Sequence, residues 1–152
     1  MRQNETPTCK TLQIIIHSVN SQYHEVKNVM LASDFKNVRS TTPSAPIKDF
    51  LNTFKANLRI VNVNSEHYVA ITEEYEKQKE DYENMFAEFD PEFYFARLYD
   101  VNDALNQFAT DKNIDLIITI HKQHSLLYRR FRSIHIKNLK NNSSVPVLVV
   151  HE

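Results

Sequence analysis

Asn113-Ile-Asp-Leu-Ile-Ile-Thr-Ile120 and Val145-Pro-Val-Leu-Val-Val150 are short apolar runs with neither helical spacing nor polar alternation. Runs of this kind are strands covered on both faces, as in parallel sheets. Working outward, Lys27 to Ser33 (with Val29-Met-Leu-Ala32), Leu58 to Val63 and Phe93 to Leu98 have the same character. Between these runs the apolar spacing changes. Ile47, Phe50, Leu51 and Phe54 fall on one helical face, with Ser44 as N-cap, Pro46 in the first turn and Asn57 as the end. Thr72 to Phe89 reads as a long helix with Tyr75, Tyr82, Met85, Phe86 and Phe89 inward, stopped by Pro91. Asp100 caps a helix facing inward through Val101, Ala104, Leu105 and Phe108. Ser125 opens a last helix, with Leu127, Phe131, Ile134 and Leu139 inward. Lys36 to Pro46 reads as a polar loop.

Strands thus alternate with helices. The order predicts an α/β fold, a doubly wound five-stranded parallel sheet with helices on both faces. This domain spans residues 27–152. Residues 1–26 read as an N-terminal arm and linker carrying an extra strand near 12–16, Leu-Gln-Ile-Ile-Ile.

Composition narrows the function. The 152 residues carry a formal net charge of -1, which lacks the basic footprint of a nucleic-acid binder. No apolar run is long enough to span a membrane, and the polar start lacks the layout of a signal peptide, so a cytoplasmic location is expected. The single Cys9 suits a reducing compartment. There is no glycine, where an average chain of this length carries about ten. Glycine lets backbone approach phosphate closely and adopt positive φ. A P-loop or dinucleotide fingerprint is therefore absent.

Taken together, Val29-Met-Leu-Ala-Ser-Asp34, Ile114-Asp-Leu-Ile117 and Pro146-Val-Leu-Val-Val150 make residues 26–152 resemble the universal stress protein family. The resemblance implies a Rossmann-like sheet of strand order 3-2-1-4-5, a bacterial stress-response role, and a homodimer formed through the last strand. It also implies that Leu12 to Lys27 is the closing strand and linker of a preceding tandem domain, or an added arm whose strand pairs along the same edge. The family's nucleotide-binding branch carries G-x-x-G, nine residues, then G-S or G-T. Here those glycines fall at Ile120, Gln123 and Ser133, with Ile134 in the Ser/Thr place. The spacing survives and the glycines do not. Side chains at these positions fill the space of the triphosphate, so ATP binding of the usual kind is not expected. Asp34 matches the family's adenosine-contacting Asp, although it serves equally as a turn or helix cap.

The candidate pocket comprises Asp34, His121, Lys122, His124 and Ser125, at the carboxyl ends of the strands, where open α/β sheets bind ligands. Lys122 and His124 favour a small anionic ligand. Two alternatives remain open. A rebuilt phosphate loop would use Lys122, His124, Ser125 and Arg129 to hold ATP or AMP. A small metal site would use His121 and His124. His121 to Lys140 carries Lys122, Arg129, Arg130, Arg132, Lys137 and Lys140 and no acid, whereas Glu73 to Asp90 is strongly acidic. Both read first as solvated helix faces. A Ser-His-acid group drawn from Ser125, His124 and Asp34 lacks the glycines of a nucleophile elbow. The expectation is a binding or interaction module, not an enzyme, with no cofactor.

Overall fold

The computed structural model describes residues 12–15, 25–63, 72–96, 101–122, 136–138 and 143–152. The first of these are described through their backbone. The strands are β1 (Leu12–Ile15), β2 (Asn28–Ser33), β3 (Asn57–Val63), β4 (Glu92–Ala96), β5 (Leu116–His121), β6 (Lys137–Asn138), β7 (Ser143–Ser144) and β8 (Val147–His151). The α-helices are α1 (Val38–Thr41), α2 (Ser44–Phe54), α3 (Glu73–Met85) and α4 (Val101–Asp111).

The main sheet runs β1-β8-β5-β2-β3-β4. Its five parallel members are the five expected strands, and β2 lies at the centre, between β3 and β5. The order β4-β3-β2-β5-β8 is the expected 3-2-1-4-5. The sixth strand is β1, antiparallel to β8 with Leu12 opposite Val150 and Ile15 opposite Val147.

Side chains alternate across each strand, so the sheet feeds two cores. Val29, Leu31, Ile60, Ile118, Leu148 and Val150 pack with Ile47 and Leu51 of α2 and Tyr75, Tyr82 and Phe86. On the other face Met30, Ala32, Val61, Ile117, Val147 and Val149 pack with Leu105 and Ala109 of α4, and with Ile136 and Val145. Full burial of one such aliphatic side chain stabilises by about 1.5–3 kcal/mol.

The amino ends of the strands are tied by polar side chains. The Asp115 carboxylate accepts from the backbone N–H groups of Lys27 (2.9 Å) and Asn28 (2.8 Å). Arg59 donates to Asn28 Oδ1 (2.8 Å) and Glu92 Oε2 (3.2 Å). Asp115, the acid within the Ile-Asp-Leu-Ile stretch, thus sets the register of β5 against β2.

Several boundaries differ from expectation. Helix α2 ends at Phe54, because Lys55 turns left-handed (φ 51°) and Asn57 already begins β3. The long helix closes at Met85, and a 3-10 turn at Ala87–Phe89 carries the chain to Asp90. Within the expected polar loop, Val38–Thr41 forms α1 because Val38 is buried and its N–H donates to Gln78 Oε1 (2.8 Å). The expected last helix does not run on to Leu139: Lys137–Asn138 is extended and pairs with Ser143–Ser144. Ile136 and Val145 are buried there, and the Lys137 N–H donates to Asn106 Oδ1 (2.7 Å). The earlier part of that helix, with Leu127, Phe131 and Ile134, lies outside the described residues, as do Leu139, Asp100 and Cys9.

The expected pairing of two copies through the last strand uses the outer edge of β8. Within this chain β1 fills that edge. An edge of four consecutive apolar residues invites pairing when bare. Gln13→Pro and Ile14→Pro each place a residue without an N–H in β1, and one of the two removes a donor aimed at β8, because alternate amides point the other way. At least one variant is expected to self-associate more strongly than the unaltered chain, as measured by light scattering. Equal masses for all three would show that β1 does not govern the edge.

Candidate functional site

The crevice of a doubly wound sheet opens at the carboxyl ends of the two strands from which the connections diverge. Here those are β2 and β5. Just past β2 the chain turns at Asp34-Phe35-Lys36-Asn37. Phe35 and Asn37 both hold positive φ, 53° and 50°. With no glycine in the chain, side chains must support this turn. The Ser33 hydroxyl accepts the Phe35 N–H (3.0 Å), and Asp34 Oδ1 accepts the Lys36 N–H (3.1 Å).

A left-handed phenylalanine costs about 1–3 kcal/mol. Its ring stacks on Tyr75 at 5.2 Å and meets the edges of Tyr82 at 5.2 Å and Phe93 at 6.4 Å. Each aromatic pair contributes about 0.5–1.5 kcal/mol beyond its buried area, so three of them offset the strain. Below the turn the buried Tyr82 hydroxyl donates to Ser33 Oγ at 2.7 Å. Burial pushes the Tyr82 phenol up to about 12. Burial, with the charges of Glu76 and Glu83, does the same for Tyr75.

Asp34 therefore points from a fixed turn. Its Oδ1 receives the Lys122 ammonium at 2.8 Å, and the same Nζ donates to the Lys36 carbonyl at 2.7 Å. Both side chains are shielded, Lys122 at 10% exposure and Asp34 at 22%. Two of the expected pocket residues thus meet, in an ion pair that spans β2 and β5. On the other side of β2, Asn62 of β3 stands in register with Ser33. It is buried, and its Oδ1 has no hydrogen-bond partner among the described residues.

His121 ends β5 in register with His151 at the end of β8, and the two Nδ1 atoms lie 3.1 Å apart. The expectation paired His121 with His124. That residue, Ser125 and Arg129 lie outside the described residues. His151 escaped the sequence reading, although a histidine follows the apolar run in both Ile117-Ile-Thr-Ile-His121 and Val147-Leu-Val-Val-His151. The Lys36 carbonyl escaped it too, because backbone carries no residue-type signal.

Chemically, this end of the sheet offers a carboxylate already matched by an ammonium, a buried amide oxygen and a facing pair of imidazoles. Among the described residues no group of three or more His, Cys, Asp or Glu side chains is arranged to hold a metal ion. No helix among the described residues is long and apolar enough to cross a membrane.

No family model matches the chain, and no curated protein matches it. Among solved structures it is similar to a universal stress protein crystallised in complex with cAMP. Sequence identity is 19%, the TM-score is 0.52, and the likeness covers 84% of this chain and 98% of that one. At this identity the likeness is one of fold.

Two expected outcomes follow from the geometry. The coupling between Asp34→Asn and Lys122→Met, measured by a denaturation double-mutant cycle, should be about 1.5–3 kcal/mol, the range of a shielded charge-assisted hydrogen bond. Coupling near zero would mean that the pair is solvated. The second concerns pH. Tyr82 holds its proton more tightly when folded (about 12) than when unfolded, where a phenol titrates at about 10. That contribution is complete below about pH 10 and is lost as pH rises to about 12, roughly 2–3 kcal/mol in all. Tyr82→Phe should lose that much less stability over the window, while costing about 1 kcal/mol at neutral pH. Parallel alkaline curves for variant and parent would contradict it.

Proposed function

We propose that the chain is a universal-stress-protein-like binding module of the stress response. It acts in the cytoplasm, has no catalytic activity, and does not bind ATP in the family's usual manner. One observation carries this reading. Lys122 occupies the carboxyl-end crevice and clasps both Asp34 and the Lys36 carbonyl (2.8 and 2.7 Å). An incoming adenosine would have to displace an ammonium from the carboxylate it needs, which costs about 1.5–3 kcal/mol before any contact is gained. The absence of glycine supports the same conclusion, because the backbone cradle for a triphosphate is not encoded.

Self-association through β8 belongs to this reading in a conditional form. It requires β1 to leave the edge, or to pair with the β8 of a second copy.

A second reading is a small anionic ligand, such as a nucleoside monophosphate or the cyclic nucleotide named for the similar structure. It is favoured by Asn62 Oδ1, a buried acceptor on β3 without a partner among the described residues, and by the Lys122 ammonium on the other side of β2. Such a ligand would bring a donor for Asn62 and an anion for Lys122.

Calorimetric titration with ATP and magnesium, AMP, cAMP and inorganic phosphate separates the two. The first reading expects no saturable heat with ATP. Saturable ATP binding at micromolar concentration would overturn it. Saturable binding of AMP or cAMP alone, weakened about tenfold or more in Lys122→Met and Asn62→Leu, would establish the second; a tenfold loss corresponds to about 1.4 kcal/mol.

A further inference from the structure

The carboxyl ends of β5 and β8 carry a pair of histidines outside the Asp34–Lys122 crevice. Parallel strands hold registered side chains on one face about 5 Å apart. His121 and His151 are such a pair. They continue the face that carries Ile117, Val147 and Val149 in the second core, just past its last layer. Both are half-buried, and their rings meet edge to face with centroids 4.9 Å apart. One residue pair below, on the same face, the fully buried Thr119 hydroxyl has no hydrogen-bond partner among the described residues.

The contact has a specific chemical requirement. Two imidazole Nδ1 atoms 3.1 Å apart need one hydrogen between them. With none, two lone pairs face each other. With two, like charges or two donors collide. The pair is thus two borderline nitrogen donors held in one geometry with one hydrogen between them. A borderline divalent cation can take the place of that hydrogen. Metal–nitrogen bonds to imidazole are about 2.0–2.1 Å. With bonds of about 2.05 Å, nitrogens 3.1 Å apart subtend about 98° at the metal, between the square-planar and tetrahedral angles.

The geometry points to a two-histidine site at His121 and His151 for a divalent transition-metal ion of the zinc, nickel and copper class. Its remaining coordination positions are open to water or to an exogenous ligand. Hard cations such as magnesium and calcium take oxygen donors and are excluded by the same chemistry. Binding requires the hydrogen between the rings to move to the far nitrogen of its own ring, and it ties β5 to β8 at the carboxyl end. The inference is independent of whether the Asp34–Lys122 crevice admits a nucleotide.

The test is a calorimetric titration of the full chain, without an affinity tag, with Ni2+, Zn2+ and Cu2+, and with Mg2+ as control. One saturable site is expected for each of the first three and none for Mg2+. Because even partners of metal ligands matter tenfold to a hundredfold, His121→Ala and His151→Ala should each weaken it about tenfold or more. The double variant should lose less than the product of the two single losses, since both serve one ion. His151→Asn keeps a polar group of similar reach but offers no imidazole, so it must behave like His151→Ala even if the alanine variant folds poorly. Electron paramagnetic resonance of the Cu2+ form should show two imidazole nitrogens, reduced to one in His151→Asn. Saturable binding unchanged in both His151 variants would place the ion elsewhere and overturn the site. So would a Cu2+ spectrum with the same nitrogen count in parent and variant, or no saturable binding at all.

Discussion

The site hangs on the turn that leaves β2, and that turn hangs on the Phe35 ring. A chain without glycine has no residue that adopts positive φ at little cost, yet five described residues do so: Phe35, Asn37, Lys55, Asp90 and Asn113. Asparagine and aspartate tolerate the left-handed region, and Lys55 ends a helix in it. Phe35 is the exception. Its strain is held by a stack on Tyr75 and edge contacts to Tyr82 and Phe93, drawn from α3 and β4. The aromatic face of α3 is therefore more than core filling. It fixes the direction in which Asp34 points, and with it the partner that Asp34 meets.

The same turn faces the end of β5, where the sequence offers no glycine. Glycines after the fourth parallel strand would keep the crevice open to backbone contacts. In this chain that strand, β5, runs through a buried Ile120 into His121 and Lys122. Ile120 belongs to the core beneath α2 and α3, so the first of the three positions where the resemblance would place glycine is a packing position. Lys122 then spans the crevice to Asp34. At this strand end an apolar residue thus fills the core position, and a charged one, two residues on, pairs with the Asp34 carboxylate.

Much of the fold was legible because both periods were clean. Val29–Ala32, Leu58–Val63 and Leu116–Ile120 are runs too short for helices and too apolar for half-exposed strands, and they form the central sheet. The spacing of Ile47 and Leu51, and of Tyr75 and Tyr82, gave helix faces that do pack inward. What failed was local and had physical causes. Val38 made a helical turn inside a polar stretch because Gln78, forty residues later, caps its amide. Lys137–Asn138 left the helical pattern because a hairpin with Ser143–Ser144 buries Ile136 and Val145 beneath α4. Both outcomes depend on distant partners, which periodicity does not encode. The same is true of the site. Asp34 and Lys122 were legible as residues of one strand-end cluster, but their ion pair was not. His151 became visible only when the register of β8 against β5 was known.

That register gives the end of β5 two outlets. Successive residues of a strand point to opposite faces. Ile120 faces the core shared with α2 and α3, and Lys122, two residues on, reaches the Asp34 turn on the β2 side. His121, between them, follows Ile117 and Thr119 onto the other face and meets His151 on the β8 side. One strand end therefore presents an ammonium to one neighbour and an imidazole to the other, within two consecutive residues. Asp115 holds the opposite end of β5 to β2 through two backbone amides, so the strand has little freedom to slide. A one-residue slip would exchange the faces, sending Lys122 toward β8 and His121 toward Asp34. The carboxylate beneath β5 thus sets the chemistry above it, and the ion pair and the histidine pair stand or fall with the same register.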